Sequence, residues 1–172
     1  MRSPGIQMLI HEHDVILKAI EHVNDILKSQ EPSSNSESLV WFLKFFREYG
    51  DLYHHRKEED ILFSLVGKKD QMLAIGIIKA LTEHHEMFRE DLRGAQDALS
   101  NNDWIRARNI LNSYFSNLKD HISAENDEFF ISVDQLLDDS EKESLYFSFL
   151  DKDRELDENK KKEFEQRILN EN

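Results

Sequence analysis

The chain has 172 residues, no cysteine and a formal charge of −13 with histidine neutral. Its length favours a single domain over residues 1–172 with room for a sizeable core. The lack of cysteine excludes disulfides, thiolate zinc and iron–sulfur clusters, and the acidity argues against a nucleic-acid or anionic-membrane surface. Five glycines and two prolines are few, and charged residues are mixed with periodic apolar ones. This favours an all-α globular protein. The N-terminus has no long apolar run, so neither a signal peptide nor a membrane span is expected, and a cytoplasmic location is the default.

A first helix is expected over about Pro4 to Lys28, where Ile6, Leu9, His13, Ile16, Ile20, Val23 and Leu27 recur every three or four residues. Gln30 to Ser36 is polar, contains a proline and reads as a loop. A second helix follows from about Glu37 to Val66, with the stripe Leu39, Leu43, Phe46, Gly50, His54, Glu58, Ile61, Leu65. Gly50 lies one turn before His54. It costs about 1 kcal/mol relative to alanine, and either leaves room beside a ligand or marks a packing compromise. Gly67 to Asp70 reads as a turn. The third helix, about Gln71 to Ser100, has the stripe Ala74, Ile78, Leu81, His85, Phe88, Leu92, Ala95, Leu99. Asp103 is the expected N-cap of the fourth, about Trp104 to Leu137, with the stripe Leu111, Tyr114, Leu118, His121, Glu125, Phe129, Ser132, Leu136. Ser140 to Glu143 fits a capping box before a C-terminal helix over about 141–168. That helix is expected to use Leu145, Phe147, Phe149 and Leu150, then Phe164, Ile168 and Leu169, and to cross the outside of the bundle with frayed last residues. The fold class is therefore an antiparallel up-down four-helix bundle, about 4–137, with an additional C-terminal helix.

Two stretches stand out. Tyr53 to Phe63 and Asp120 to Phe130 each place a histidine four residues ahead of a glutamate, His54–Glu58 and His121–Glu125, with an apolar pair behind. On a helix such a pair lies on one face, one turn apart. His13 and His85 occupy core steps of the other two helices, so the order histidine then His-x3-Glu occurs twice. The spacings are similar, 41 residues from His13 to His54 and 36 from His85 to His121. Taken singly, a histidine on an apolar stripe is more often a hydrogen-bonded core residue, and a lone His-x3-Glu is usually a solvated face. The joint pattern is what argues for metal. Burying a lone carboxylate costs several kcal/mol, and no lysine or arginine falls on the same stripe steps. Imidazole nitrogen with carboxylate oxygen suits iron, manganese or zinc. His13, His54, Glu58, His85, His121 and Glu125 are thus the expected metal ligands, with both glutamates able to bridge two ions. Whether His13 pairs with His54 or the halves mix is left open by the sequence. Of the other histidines, His11, His22 and His55 read as surface residues, although His55 could flank the site with Glu59. His84 and Glu12 stand as marginal additions. Phe46, Phe63, Phe88, Phe115, Phe129 and Phe130 are expected in the core, some of them walling the site.

These residues resemble the hemerythrin-like (HHE cation-binding) family, whose members are four-helix bundles holding two non-haem irons. Glu12-His13, the string His54-His55-Arg56-Lys57-Glu58-Glu59-Asp60-Ile61-Leu62-Phe63, Gly76 followed by His85-Glu86-Met87-Phe88-Arg89, and His121 with Glu125, Phe129 and Phe130 carry the likeness. Lys160 to Glu165 also looks like the C-terminal helix of one bacterial and archaeal branch. The family's oxygen carriers have two histidines four apart on the third helix, where this chain has Leu81 and Arg89 flanking His85. The family's proline after Leu-Phe is replaced by Ser64 and Ser132. The resemblance implies two non-haem iron ions, with manganese or zinc as alternatives. It also implies a small ligand such as oxygen, nitric oxide or peroxide at an open site, in sensing, scavenging or iron handling. The alternative is a di-iron redox enzyme of peroxidase, oxidase or nitric-oxide reductase type. No nucleic acid or membrane is expected as a partner, and the oligomeric state is not legible.

Overall fold

The computed structural model describes residues 2–28 and 32–170. All regular structure among them is helical: α1 (Pro4–Lys28), α2 (residues 32–69), α3 (residues 71–100), α4 (residues 104–136), α5 (Asp139–Glu155) and α6 (Glu158–Asn170). The four long helices pack α1 on α2, α2 on α3, α3 on α4 and α4 back on α1, which makes a helical bundle. The pair α5–α6 lies along α1, and α6 also touches the middle of α2. Among the described residues no helix is long and apolar enough to cross a membrane.

Helix ends follow local chemistry, in places not where expected. Of the anticipated Gln30–Ser36 loop, residues 30 and 31 lie outside the described residues, and α2 already runs from Pro32. Proline suits a first helical turn because its missing N–H has no partner to lose there. The Gly67–Asp70 turn reduces to Asp70 alone, an extended residue (φ −136, ψ 104) whose side chain accepts from the N–H groups of Met72 and Leu73. Asp103 caps α4 through the N–H of Arg106, as its sequence context indicates. The box before α5 is Asp138 with Glu141, not Ser140 with Glu143. The expected single C-terminal helix is broken at Leu156–Asp157, where Asp157 has φ 76. Its two pieces bury Leu145, Phe149, Phe164 and Ile168, while Phe147 and Leu169 are each 52 % exposed. The last two residues, where fraying was expected, lie outside the described residues.

The helices that carry the His-x3-Glu pairs are not uniformly α. Residues Phe46–His55 and Glu58–Phe63 of α2, and Glu125–Phe129 of α4, are wound as π-helix. Such wide turns are rare and cluster at functional sites. Each absorbs extra residues per turn, so the inward stripe slips by one position beyond the glutamate. In α2 the buried residues past Glu58 are Leu62, Phe63 and Val66, whereas Ile61 and Leu65 are only half-buried. In α4 the slip recurs: Phe130, Val133 and Leu137 are buried in place of Ser132 and Leu136. The bundle core accordingly divides into two apolar clusters. One is built around Phe45, Phe46, Tyr49 and Tyr114, the other around Leu62, Phe63, Phe129 and Phe130.

Gly50 sits in the first π segment and is buried, yet a Cβ built there meets no atom within 4 Å. Gly50→Ala is therefore expected to fold and to gain about 0.5–1 kcal/mol, because the loose unfolded glycine is restrained without a clash. Urea unfolding measures this; a loss of stability would show that the space beside Gly50 is needed.

Candidate metal centre

Between the two apolar clusters lies a band of polar side chains. His13 comes from α1, His54 and Glu58 from α2, His85 from α3, and His121 and Glu125 from α4. All six are at most 2 % exposed. The structure thus brings all six of these residues to one place. His13, His54, Glu58 and Glu125 form one cluster, and Glu58, His85, His121 and Glu125 a second, with donor atoms in each lying within 4.8 Å of one another. Both glutamates belong to both clusters. Glu58 turns Oε1 to His54 Nε2 at 3.6 Å and Oε2 to His85 Nε2 at 3.5 Å. Glu125 Oε2 lies 3.2 Å from His13 Nε2 and 3.3 Å from His121 Nε2.

These donors fit a metal better than they fit each other. Glu58 Oε1 and Oε2, Glu125 Oε1 and Oε2, His13 Nε2 and His54 Nε2 are buried without a hydrogen-bond partner of acceptable geometry. His85 Nε2 and His121 Nε2 face each other at 3.1 Å. Two donors each about 2.1 Å from one ion, set at right angles, lie about 3 Å apart. Three of the four outward ring nitrogens have an oxygen acceptor. His13 Nδ1 is 2.9 Å from Asn126 Oδ1, His54 Nδ1 is 3.0 Å from Glu12 Oε2, and His85 Nδ1 is 2.8 Å from Glu59 Oε1. Each acceptor takes the Nδ1 hydrogen, which leaves the Nε2 lone pair aimed inward, the arrangement that metal-ligating histidines use.

Around the donors the walls are aromatic. Phe130 stacks on His13 at 5.6 Å between ring centroids, Phe63 on His85 at 5.8 Å, and Phe88 meets His121 edge-on at 5.2 Å. Such walls keep water out and make an uncompensated charge costly. Burial first, and the neighbouring Glu125 second, push the Glu58 carboxyl well above its ordinary range. For Glu125 burial also pulls upward, but His121 and His13 outweigh it and hold the carboxyl low. Burial lowers His54 to about 3, helped by His13. It lowers His55 and His85 as well, against opposing carboxylates.

Three features differ from the sequence reading. His55, expected at the surface, is 4 % exposed and forms a third group of candidate metal donors with His85 and His121. Its ring stacks on His85 at 3.9 Å, and its Nδ1 is 3.5 Å from Asp51 Oδ1. The π segment that ends at His55 turns it inward beside His54. Asp51, four residues earlier, was the available signal. Glu12 is fully buried but points at His54 from behind rather than into the centre. Lysines, thought absent from the inward positions, are present: Lys57 is fully buried and Lys161 nearly so, both on Glu12. His84, by contrast, is exposed and only approaches His121, Nδ1 to Nδ1 at 3.3 Å. His11 is exposed as expected, and His22 is half-buried with Nε2 3.3 Å from the Ile168 carbonyl.

A family model described as the Hemerythrin HHE cation binding domain matches residues 4–131. No curated protein and no solved structure matches the chain. The matched residues take in all six expected ligands and His55, and end within α4.

The depressed imidazoles make the metal-free protein acid-sensitive. In the unfolded chain His54, His55 and His85 take up protons below about 6.5, but in the folded one all three do so at lower pH, well below for His85 and about 3 for His54. The unfolded state then binds more protons, so stability falls with pH below 6.5. His84 is lowered too, while the raised carboxyls of Glu58, Glu59 and Asp91 work in the opposite direction. The melting temperature of chelator-treated protein is expected to drop between about pH 7 and about pH 5. A flat or rising trend would contradict neutral buried imidazoles.

Proposed function

Since the chain belongs to the hemerythrin HHE cation-binding family, we propose that its centre holds two non-haem iron ions and takes a small ligand such as oxygen, nitric oxide or peroxide. His13 and His54 would serve one ion and His85 and His121 the other, with Glu58 and Glu125 shared and His55 adding a third nitrogen on the second side. The observation that carries this is the division of the buried donors into two groups that share both glutamates. A bound iron pair supplies open coordination positions and one-electron redox chemistry. The chain's own residues do the rest. Glu12, Glu59 and Asn126 orient the imidazoles. Phe63, Phe88 and Phe130 leave an apolar surround that admits something small and weakly charged. Manganese and zinc fit the same donor types; the aromatic walls and paired carboxylates equally suit any of the three, and the family likeness favours iron. Sensing, scavenging and iron handling are the roles consistent with such a site.

Protein expressed with iron is expected to carry about two ions per chain, and its absorption spectrum to change on adding nitric oxide or peroxide. Glu58→Ala removes a donor from both groups and should lower the iron content more than His13→Ala, which touches one. Metal analysis and difference spectra check this; wild-type protein with no stoichiometric metal sinks the proposal. Steady-state consumption of peroxide or nitric oxide, lost in Glu58→Ala, would turn the binding protein into the redox enzyme.

A further inference from the structure

Behind His54 lies a buried ring of four charges drawn from four helices. Glu12 of α1 offers Oε2 to His54 Nδ1, and its Oε1 accepts from Lys57 of α2 and from Lys161 of α6, the latter at 2.5 Å. Asp153 of α5 closes the ring, with Oδ1 2.6 Å from Lys57 Nζ and Oδ2 2.6 Å from Lys161 Nζ. Carboxylates and ammoniums alternate, the formal sum is zero, and none of the four is more than 7 % exposed. Stability does not account for such a cluster, because well-packed apolar residues usually serve as well or better than buried ion pairs. Apart from a looser contact of Lys161 Nζ with Glu165 at 3.9 Å, it reaches outward through Glu12 Oε2, which meets a candidate ligand.

The other half of the centre repeats the arrangement. Glu59 accepts from His85 Nδ1 and is held by Arg89 at 2.7 Å; Arg89 also holds Asp51, at 2.7 Å, which faces His55. Imidazole, carboxylate and cation follow in the same order on both sides. The difference is one added cation. Arg89 and Lys57 are on bundle helices, whereas Lys161 comes from α6, beyond the matched residues 4–131. α6 is pinned to α2 at several points: Tyr49 Oη donates to Glu165 at 2.8 Å, Tyr53 Oη to the Asp157 carbonyl at 2.8 Å, and Lys160 pairs with Glu48 at 2.6 Å. Phe164 packs edge-on against Phe45 at 5.8 Å, and the Arg167 guanidinium lies 3.7 Å above the Trp41 ring.

We propose that Lys161 is a positioning residue for the metal centre. With Lys57 and Asp153 it locks Glu12 so that His54 keeps its hydrogen on Nδ1 and presents Nε2 to an ion. This role rests on the metal reading of the centre. In Lys161→Met the two carboxylates must share Lys57, and Asp153 draws it away from Glu12. In Asp153→Asn/Lys161→Met the ring is neutral again and Lys57 returns to Glu12.

Anaerobic titration of chelator-treated protein with ferrous iron tests this. Wild type is expected to bind two ions. Lys161→Met should weaken one of the two by about 10–100-fold, the usual effect of losing an outer partner of a ligand, and leave the other unchanged. The double variant should recover most of the loss. A merely structural lysine would lower the melting temperature of the metal-free protein and leave both affinities alone. Wild-type affinity in Lys161→Met, or a double variant as weak as the single one, overturns the role of Lys161. Should Lys161→Met not fold, Glu12→Gln is expected to give the same one-site weakening, and unchanged affinity there overturns it equally. Wild type that binds no iron instead overturns the metal centre itself.

Discussion

Among the described residues three glutamates are fully buried in a bundle interior that has no room for stray charge. A desolvated carboxylate costs several kcal/mol unless something positive or hydrogen-donating reaches it. Glu12 is answered by two lysines and an imidazole. Glu58 and Glu125 find no hydrogen-bond partner of acceptable geometry among the described side chains, only imidazole nitrogens at 3.2–3.6 Å. The contrast within one site matters: the chain can place cations beside a buried carboxylate and does so one turn away. Leaving the other two open toward four inward-facing imidazoles accords with the cation-binding family to which the chain belongs.

The backbone serves the same end. Holding His54, His55 and Glu58 inward together is awkward for a regular α-helix, since neighbouring residues diverge by about 100°. Wide π turns lower that angle and let two adjacent histidines approach the centre. They span or follow the glutamate of both His-x3-Glu pairs, as well as Ala74–Ile78 of α3, and shift the apolar stripe by one residue past each glutamate. Geometry at the site is thereby bought with irregular hydrogen bonding in the two helices that carry most of the donors.

Much of this was legible from periodicity. The extent of α1 and the cap at Asp103 follow from apolar spacing and cap chemistry, and the inward burial of the four histidines and two glutamates follows from their places on the stripes. What escaped reading has physical causes. His55 was misplaced, and Leu62 and Val133 were left off the stripes, because a 3.6-residue period was carried through turns that do not obey it. Asp70 and Asp138 were missed as caps because neighbouring residues offered equally good local patterns. Lys57 and Lys161 were hidden because a charged residue off the stripe is normally solvated. Only the meeting of α1, α2, α5 and α6 in space makes them core residues, and Lys161 lies 149 positions from the carboxylate it holds.

Everything depends on the inward donors surrounding ions and not merely one another. Diffraction from crystals of iron-loaded protein, recorded on both sides of the iron absorption edge, addresses this directly. The account predicts two anomalous peaks, one flanked by His13 and His54 and the other by His85 and His121, with Glu58 and Glu125 between them. A single peak elsewhere, or an interior without anomalous signal while the imidazoles and carboxylates close on each other, would contradict it.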